Sequence, residues 1–334
     1  MTRLDTDDAV ATETSAECDG PRALLLEARE VPLGGVRAME VRRALPQRDL
    51  PLVGAWCFLD RFGPQVTRMR VEPHPHIGLQ TVTWPFVGEV RHRDTVGSDV
   101  VVKRGALNLM TSGAGIAHSE YSVGEVAIPL DALQLWVALP EDRRHGAPAF
   151  ERHDDLPIVD LPAIEGPDAA AVVVLGEFGG GASPATTYTP IVGAEIRVPA
   201  GSRVRLPLDP TWEYAVVGID GVLHATEDQP IAGHAASGAE LESLRLLYLG
   251  TGRDGVELFS VEGATVFLLG GAPFEDDIVM WWNFVGRAHE EIVDARDAWE
   301  AGSDRFGRVV GHGDVRIPAP PMPAVRLTQR RRRA

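Results

Sequence analysis

The run HPHIGLQTVTW, residues 74–84, decides the fold when it is set beside GAGIAHSE, residues 113–120. His74 and His76 stand two apart, and so do His118 and Glu120. On an extended strand, residues i and i+2 project from the same face, so each pair forms half of a claw. Two such claws facing each other supply three imidazoles and one carboxylate, the donors of a metal site. A single histidine is usually an ordinary polar residue on a strand surface. Here four ligand-type residues fall in two strand-spaced pairs, each flanked by turn-forming glycine or proline, and that pattern favours the metal.

Imidazole suits zinc, copper, iron and nickel, whereas soft thiolate sites need cysteine, and neither Cys18 nor Cys57 lies in a CxxC motif or near these histidines. Four protein ligands close a tetrahedral zinc site but leave two positions open on an octahedral iron. Ligand type alone leaves both ions open.

At 334 residues the chain exceeds one typical domain. Its formal net charge of -16 argues against a phosphate-binding surface, since non-specific nucleic-acid affinity rests on clustered Lys and Arg. No direct nucleic-acid ligand is expected. Residues 1–20 are acidic, lack the apolar core of a secretory signal and read as a disordered leader. No stretch approaches the roughly 18 apolar residues of a membrane span, and two cysteines make no disulfide framework. The expectation is a soluble, cytoplasmic protein with no membrane contact. Cys57, bracketed by Trp56 and Phe58, reads as a packed small hydrophobe, and a bridge to Cys18 is left open.

Short β-rich runs separated by glycine and proline fill residues 21–140, which suggests a small barrel whose alternate residues point inward and can hold an ion. Residues 141–157 carry charge, proline and glycine without apolar periodicity and read as a linker. The short-strand texture resumes over residues 158–305. TVTWPFVGEV (81–90) and WEYAVVGIDGV (212–222) share an aromatic and valine strand running into a glycine turn, suggesting duplication. His224 and His234 are isolated, so the second barrel is expected to be metal-free. One helix is expected near residues 289–301, with acidic residues early in the stretch. Trp281 and Trp282 beside it read as core or interface. Residues 306–334 read as an extended segment ending in a basic tail, Arg326 and Arg330 to Arg333.

At these residues the chain resembles the pirin family, a branch of the bicupins. HPHIGLQTVTW is similar to the family's histidine strand, GAGIAHSE to its second ligand strand, LQLWVALP to the strand that follows, and WWNFVGRAHEEI to the carboxy-terminal signature. The likeness spans most of residues 23–321. It implies an all-β fold of two cupin (jelly-roll) barrels with a short C-terminal helix. It further implies one mononuclear ion per chain, usually Fe(II), with Zn, Mn, Ni or Cu as other divalent candidates, held by His74, His76, His118 and Glu120 in the first barrel, and an empty second barrel. One departure is Gln80, where many pirins carry glutamate. An amide cannot act as a carboxylate base, so proton transfer assigned to that position is in doubt.

The resemblance also carries two functions. Pirins include oxygenases that cleave flavonols such as quercetin, consuming O2 and releasing carbon monoxide, and non-enzymatic iron-dependent partners of transcriptional or metabolic proteins. In the first reading Glu120 is the catalytic residue, accepting the flavonol 3-hydroxyl proton. In the second the iron is a redox switch that alters affinity for a protein partner. The oxygenase reading is preferred, with a small aromatic enolate as substrate. Met110 and Ser112, with Phe58 or Phe86, are nominated as cavity lining by strand alternation.

Overall fold

The computed structural model describes residues 20–32, 40–226 and 239–329. The acidic leader to residue 19, Cys18, His234 and Arg330 to Arg333 lie outside them. The chain is all-β, two barrels with one α-helix among the described residues, His289–Glu300, as expected. Each barrel pairs a large sheet with a small one. In the first, the large sheet runs Ala149–His153, Leu107–Thr111, Leu79–Val87, Ile128–Ala138, Trp56–Thr67, Glu40–Leu45 and Arg29–Pro32, and the small sheet runs Arg70–His76, Ile116–Ser122, Glu89–Asp94 and Asp99–Lys103.

The second barrel repeats this order. Its large sheet runs Pro21–Glu27, Arg245–Gly250, Glu213–Gly221, Ala264–Gly271, Ile191–Val198, Ala169–Phe178 and Ile158–Leu161. The small sheet is Ala163–Glu165, Ser202–Pro207, Gly255–Ser260, Leu223–Thr226 and Ala239–Leu241. The strands that carry TVTWPFVGEV and WEYAVVGIDGV thus occupy matching third positions in their large sheets.

The two large sheets pack face to face. Trp56, Val82, Trp84, Leu107, Leu109, Leu133 and Leu135 of the first barrel meet Leu175, Ile191, Ala215, Val217, Leu246 and Phe267 of the second in one buried cluster. Because this sheet is buried on both sides, its strands alternate between two interiors rather than between core and water. Trp56 and Trp84 each donate their indole N–H across the junction, to the Val192 carbonyl at 3.0 Å and to Glu195 Oε2 at 2.8 Å. Arg61, buried, spans it too, paired to Asp131 at 2.7 Å while donating to the Ile219 carbonyl at 2.6 Å.

Three expected boundaries are corrected by the strand pairing. Residues 21–27 do not belong to the first barrel: Leu24, Leu25 and Leu26 pair with Tyr248, Leu247 and Leu246 at the edge of the second. Residues 141–157 are not a plain linker, since Ala149–His153 closes the edge of the first barrel's large sheet against Leu107–Thr111. Its apolar signal is slight because an edge strand buries little. The third concerns the end of the chain. From residue 278 it returns to the first barrel, where Ile278, Met280 and Val285 pack with Phe58, Leu79 and Trp136. The helix and Phe306, Val309 and Ala319 pack with Ile77 and Ala117. Residues 306–329 are therefore docked, with Ile317 N–H donating to the Pro73 carbonyl at 2.8 Å.

Trp281 lies in that same cluster and Trp282 packs on it, which makes the pair structural. In the helix, Glu290 and Glu291 occupy the first turn, where the helix dipole favours negative charge. Glu291 also accepts from Arg144 at 2.9 Å, tying the helix to the segment after the first barrel.

Candidate metal centre

Arg70–His76 is the edge strand of the small sheet, so Pro73 and Pro75 interrupt no hydrogen-bond ladder on its open side. Beside it runs Ile116–Ser122, antiparallel, with His118 opposite His74 and Ile116 opposite His76. Alternation sends His74, His76, His118 and Glu120 into the barrel, all buried. Gly78 closes the histidine run with φ +69°, and a Cβ there would sit 2.0 Å from the Val285 carbonyl oxygen. Only glycine allows the 284–286 strand this close, and Val285 N–H donates to the Ile77 carbonyl at 3.1 Å. The carboxy-terminal signature thereby braces the histidine strand.

The three imidazoles converge. Ring centroids lie 4.4 Å apart for His74 and His118, 5.1 Å for His74 and His76, and 4.9 Å for His76 and His118. Nε2 of His76 stands 3.1 Å from Nε2 of His118. His74 donates from Nδ1 to the Glu72 carbonyl at 2.9 Å, which leaves its Nε2 lone pair unused. One nitrogen from each ring falls within 4.8 Å of the others, a grouping that could hold an ion. These donors fit a divalent metal that favours imidazole.

Burial keeps the rings neutral. It lowers His74 from 6.5 to about 4, the Glu72 carbonyl opposing and His92 adding to the shift. Burial likewise holds His76 and His118 well below the usual histidine range, with neighbouring histidines adding to it. Neutral imidazole is the form that ligates metal. A consequence follows for the metal-free protein. Unfolded, His74 takes a proton near pH 6.5; folded, only near 4, so between these values the unfolded state binds more protons and acid favours unfolding. Stripped of metal, the protein is expected to lose stability as pH falls from 6.5 toward 4, at up to about 1.4 kcal/mol per pH unit from this residue. Thermal melts at pH 7.5 and 5 should show a smaller acid-induced drop in His74→Gln than in wild type; equal drops would refute the assignment.

Glu120 is placed differently from its three expected companions. It groups with His118 and with His92, a residue outside the expected set, rather than with His74 and His76. Burial raises its pKa against the opposing pull of His92 and of a hydrogen bond from Thr83 Oγ1, which donates to Oε1 at 3.1 Å. His118 thus sits between a three-imidazole cluster and a His92–Glu120 cluster. The sequence offered a signal for His92: in RHRD, residues 91–94, it and Asp94 show the same i, i+2 spacing as the other pairs.

Gln80 is buried and its amide donates to Thr111 Oγ1 at 2.9 Å and to the Thr186 carbonyl at 3.2 Å, linking the barrels. Of the nominated lining residues, Phe58 stacks on Trp136 with centroids 3.9 Å apart, and Trp136 meets the His76 ring edge-on at 5.3 Å. Met110 faces inward opposite Phe150. Ser112 instead bridges to the start of the neighbouring strand, its Oγ accepting from Leu79 N–H at 2.9 Å and donating to the Leu79 carbonyl at 2.7 Å. Phe86 points into the junction between barrels. Cys57 is buried, its thiol 3.5 Å from the Trp136 carbonyl.

In the second barrel the matching strands send Val204, Leu206, Leu223, Ala225, Val256 and Leu258 into an aliphatic core. None of these side chains offers a ligand atom. His224 stacks beside Phe259 with centroids 6.3 Å apart. Among the described residues no helix is long and apolar enough to cross a membrane.

Residues 38–137 match the Pirin family model and residues 193–307 the model of the Pirin C-terminal cupin domain. The chain is 40% identical over 325 residues to a Pseudomonas aeruginosa protein named "Putative quercetin 2,3-dioxygenase PA1205", covering 95% of this chain and 97% of that one. It is 33% identical over 305 residues to a pirin-like protein of Caulobacter vibrioides, covering 89% of this chain and 99% of the relative. A crystal structure of quercetin 2,3-dioxygenase from Acinetobacter baumannii superposes with a TM-score of 0.82 at 35% identity, over 91% of this chain and 97% of that one. With both barrels matched in sequence and in fold, the chain belongs to the pirin family of bicupins.

Proposed function

We propose that the protein is a mononuclear non-haem iron oxygenase that opens flavonols such as quercetin, with Fe(II) held by His74, His76, His118 and Glu120. The convergence of three buried, neutral imidazoles carries this reading. Relatives whose names include quercetin 2,3-dioxygenase support the substrate class. When bound, a ferrous ion with open positions supplies a place where a chelating enolate and O2 can exchange electrons.

The chain's own residues bind, orient and move a proton. Burial makes Glu120 a stronger base than an ordinary carboxylate, and Thr83 fixes Oε1, so Oε2 is the atom that would hold the ion and, on loosening from it, would accept the flavonol 3-hydroxyl proton. The interior beside the cluster is polar. Asn108, cross-strand neighbour of Thr83, has both amide atoms buried without a partner among the described residues, and so is the indole N–H of Trp136. Buried polar groups of this kind are satisfied by a ligand or by water, and the hydroxyls and carbonyl of a flavonol meet that need. The Phe58–Trp136 stack offers its aromatic rings a flat neighbour.

Protein purified and loaded with ferrous ion without oxygen should take up O2 when quercetin is added. Glu120→Gln should lower turnover per bound iron by about 100-fold or more, since it removes the proton acceptor while keeping an oxygen at that position. Turnover that falls only in proportion to iron content would sink the base assignment. Fully loaded protein that consumes no oxygen with any of a broad panel of flavonols and catechol-like enolates would overturn the oxygenase reading.

A further inference from the structure

His92 and Asp94 stand directly behind His118 on the neighbouring strand, with His92 opposite Glu120 and Asp94 opposite His118 in the strand register. Both are buried. Asp94 Oδ1 accepts the backbone N–H groups of Val96 at 3.0 Å and Ser98 at 2.9 Å, which anchors the carboxylate. Its Oδ2 lies 2.9 Å from His92 Nε2, and His92 Nδ1 lies 3.2 Å from His118 Nδ1. Phe150, from the strand that closes this edge of the barrel, stacks on the His92 ring with centroids 4.6 Å apart and planes 24° from parallel.

From this chain of contacts we infer that Asp94 and His92 form a positioning relay that holds His118 in the tautomer and orientation a metal ion requires. The inference rests on the metal-centre reading above. A carboxylate oxygen can only accept, so with a single ring proton His92 carries it on Nε2, facing Asp94. His92 Nδ1 is then a bare lone pair, and the hydrogen bond to His118 is completed by a proton on His118 Nδ1. That assignment leaves the lone pair of His118 on Nε2, the nitrogen aimed at His76 Nε2. Outer partners of this kind fix the ring of a metal-ligating histidine and raise its basicity. Here the support passes through a second imidazole before it reaches the carboxylate. His92 and Asp94 act through His118 and are positioning residues.

The experiment uses cobalt(II) as the probe ion on the full-length protein. His92→Leu removes the acceptor for His118. His92→Asn places an amide oxygen near the lost Nδ1 and keeps it. Asp94→Asn can turn an N–H toward His92 Nε2, forcing the His92 proton onto Nδ1 against the proton of His118. Competition against a chromogenic chelator should show His92→Leu binding cobalt about 10- to 100-fold more weakly, Asp94→Asn also weakened, and His92→Asn within about threefold of wild type. The visible ligand-field spectrum of the saturated protein should shift in the leucine variant and keep the wild-type shape in the asparagine variant. Equal affinity in wild type and His92→Leu would overturn the relay. So would equal losses and altered spectra in both His92 variants, the result expected if His92 ligates the ion itself. A wild-type protein that takes up no cobalt overturns the metal reading, and the relay with it.

Discussion

Metal analysis of His76→Ala, purified without oxygen, should find below about a tenth of the metal present in wild type, where one ion per chain is expected. His76 is the most deeply enclosed of the expected ligands on its strand, and its Nε2 faces that of His118 at 3.1 Å. Alanine deletes one of three imidazole donors and opens the space between the other two to water. Trp136, which packs on the His76 ring, cannot substitute, since its indole offers only an N–H donor. His224→Ala is the matched control and should leave metal content unchanged, its barrel being filled with aliphatic side chains. A full equivalent of metal in His76→Ala, or a loss in His224→Ala, would place the ion elsewhere.

Trp56→Ala should lower unfolding stability by about 3–5 kcal/mol, the largest effect expected of any substitution distant from the metal. Trp56 has no solvent exposure and fills the junction between the barrels. Its ring lies so close to Gly193 that a Cβ there would stand 2.9 Å from Cζ2. Truncation removes that ring and also the donor that reaches the Val192 and Gly270 carbonyls at 3.0 and 3.3 Å. Trp56→Phe keeps most of the volume and should cost only about 1–2 kcal/mol, chiefly the hydrogen bond and a smaller void. Urea titrations followed by tryptophan emission and by circular dichroism would report both values. A loss under about 1 kcal/mol in Trp56→Ala would mean that the barrels gain little from their contact.

The histidine pairs were legible because strand periodicity is local: the two-residue spacing of His74 and His76 fixes their common face without reference to any other strand. The helix was legible for the same reason. What escaped the sequence was decided by partners far along the chain. Nothing in residues 21–27 says that Leu25 pairs with Leu247. Phe58 and Phe86 look alike in sequence, yet one lies beside the metal centre and the other between the barrels, because a sheet covered on both faces gives each alternate residue an apolar home. His92 was masked by Arg91 and Arg93, which make RHRD look like a solvated strand. Only strand register brings it opposite Glu120.

The exchange of Pro21–Glu27 into the distant barrel sets an order of events during synthesis. This segment leaves the ribosome well before its partner, Arg245–Gly250, which is made more than two hundred residues later. In the interval the first barrel can close its own sheet with Ala149–His153, while Leu24, Leu25 and Leu26 wait as an unpaired strand. Pairing of such long sequence separation is slow to form. A nascent chain halted near residue 157 should therefore carry an adhesive leading strand, and it lacks the 284–286 strand that braces the metal-binding histidines. A fragment begun at residue 158 lacks that strand and leaves the edge at 245–250 bare. Although the strand order of the two large sheets matches, neither barrel is a detachable module: a strand made late must return to claim one made early.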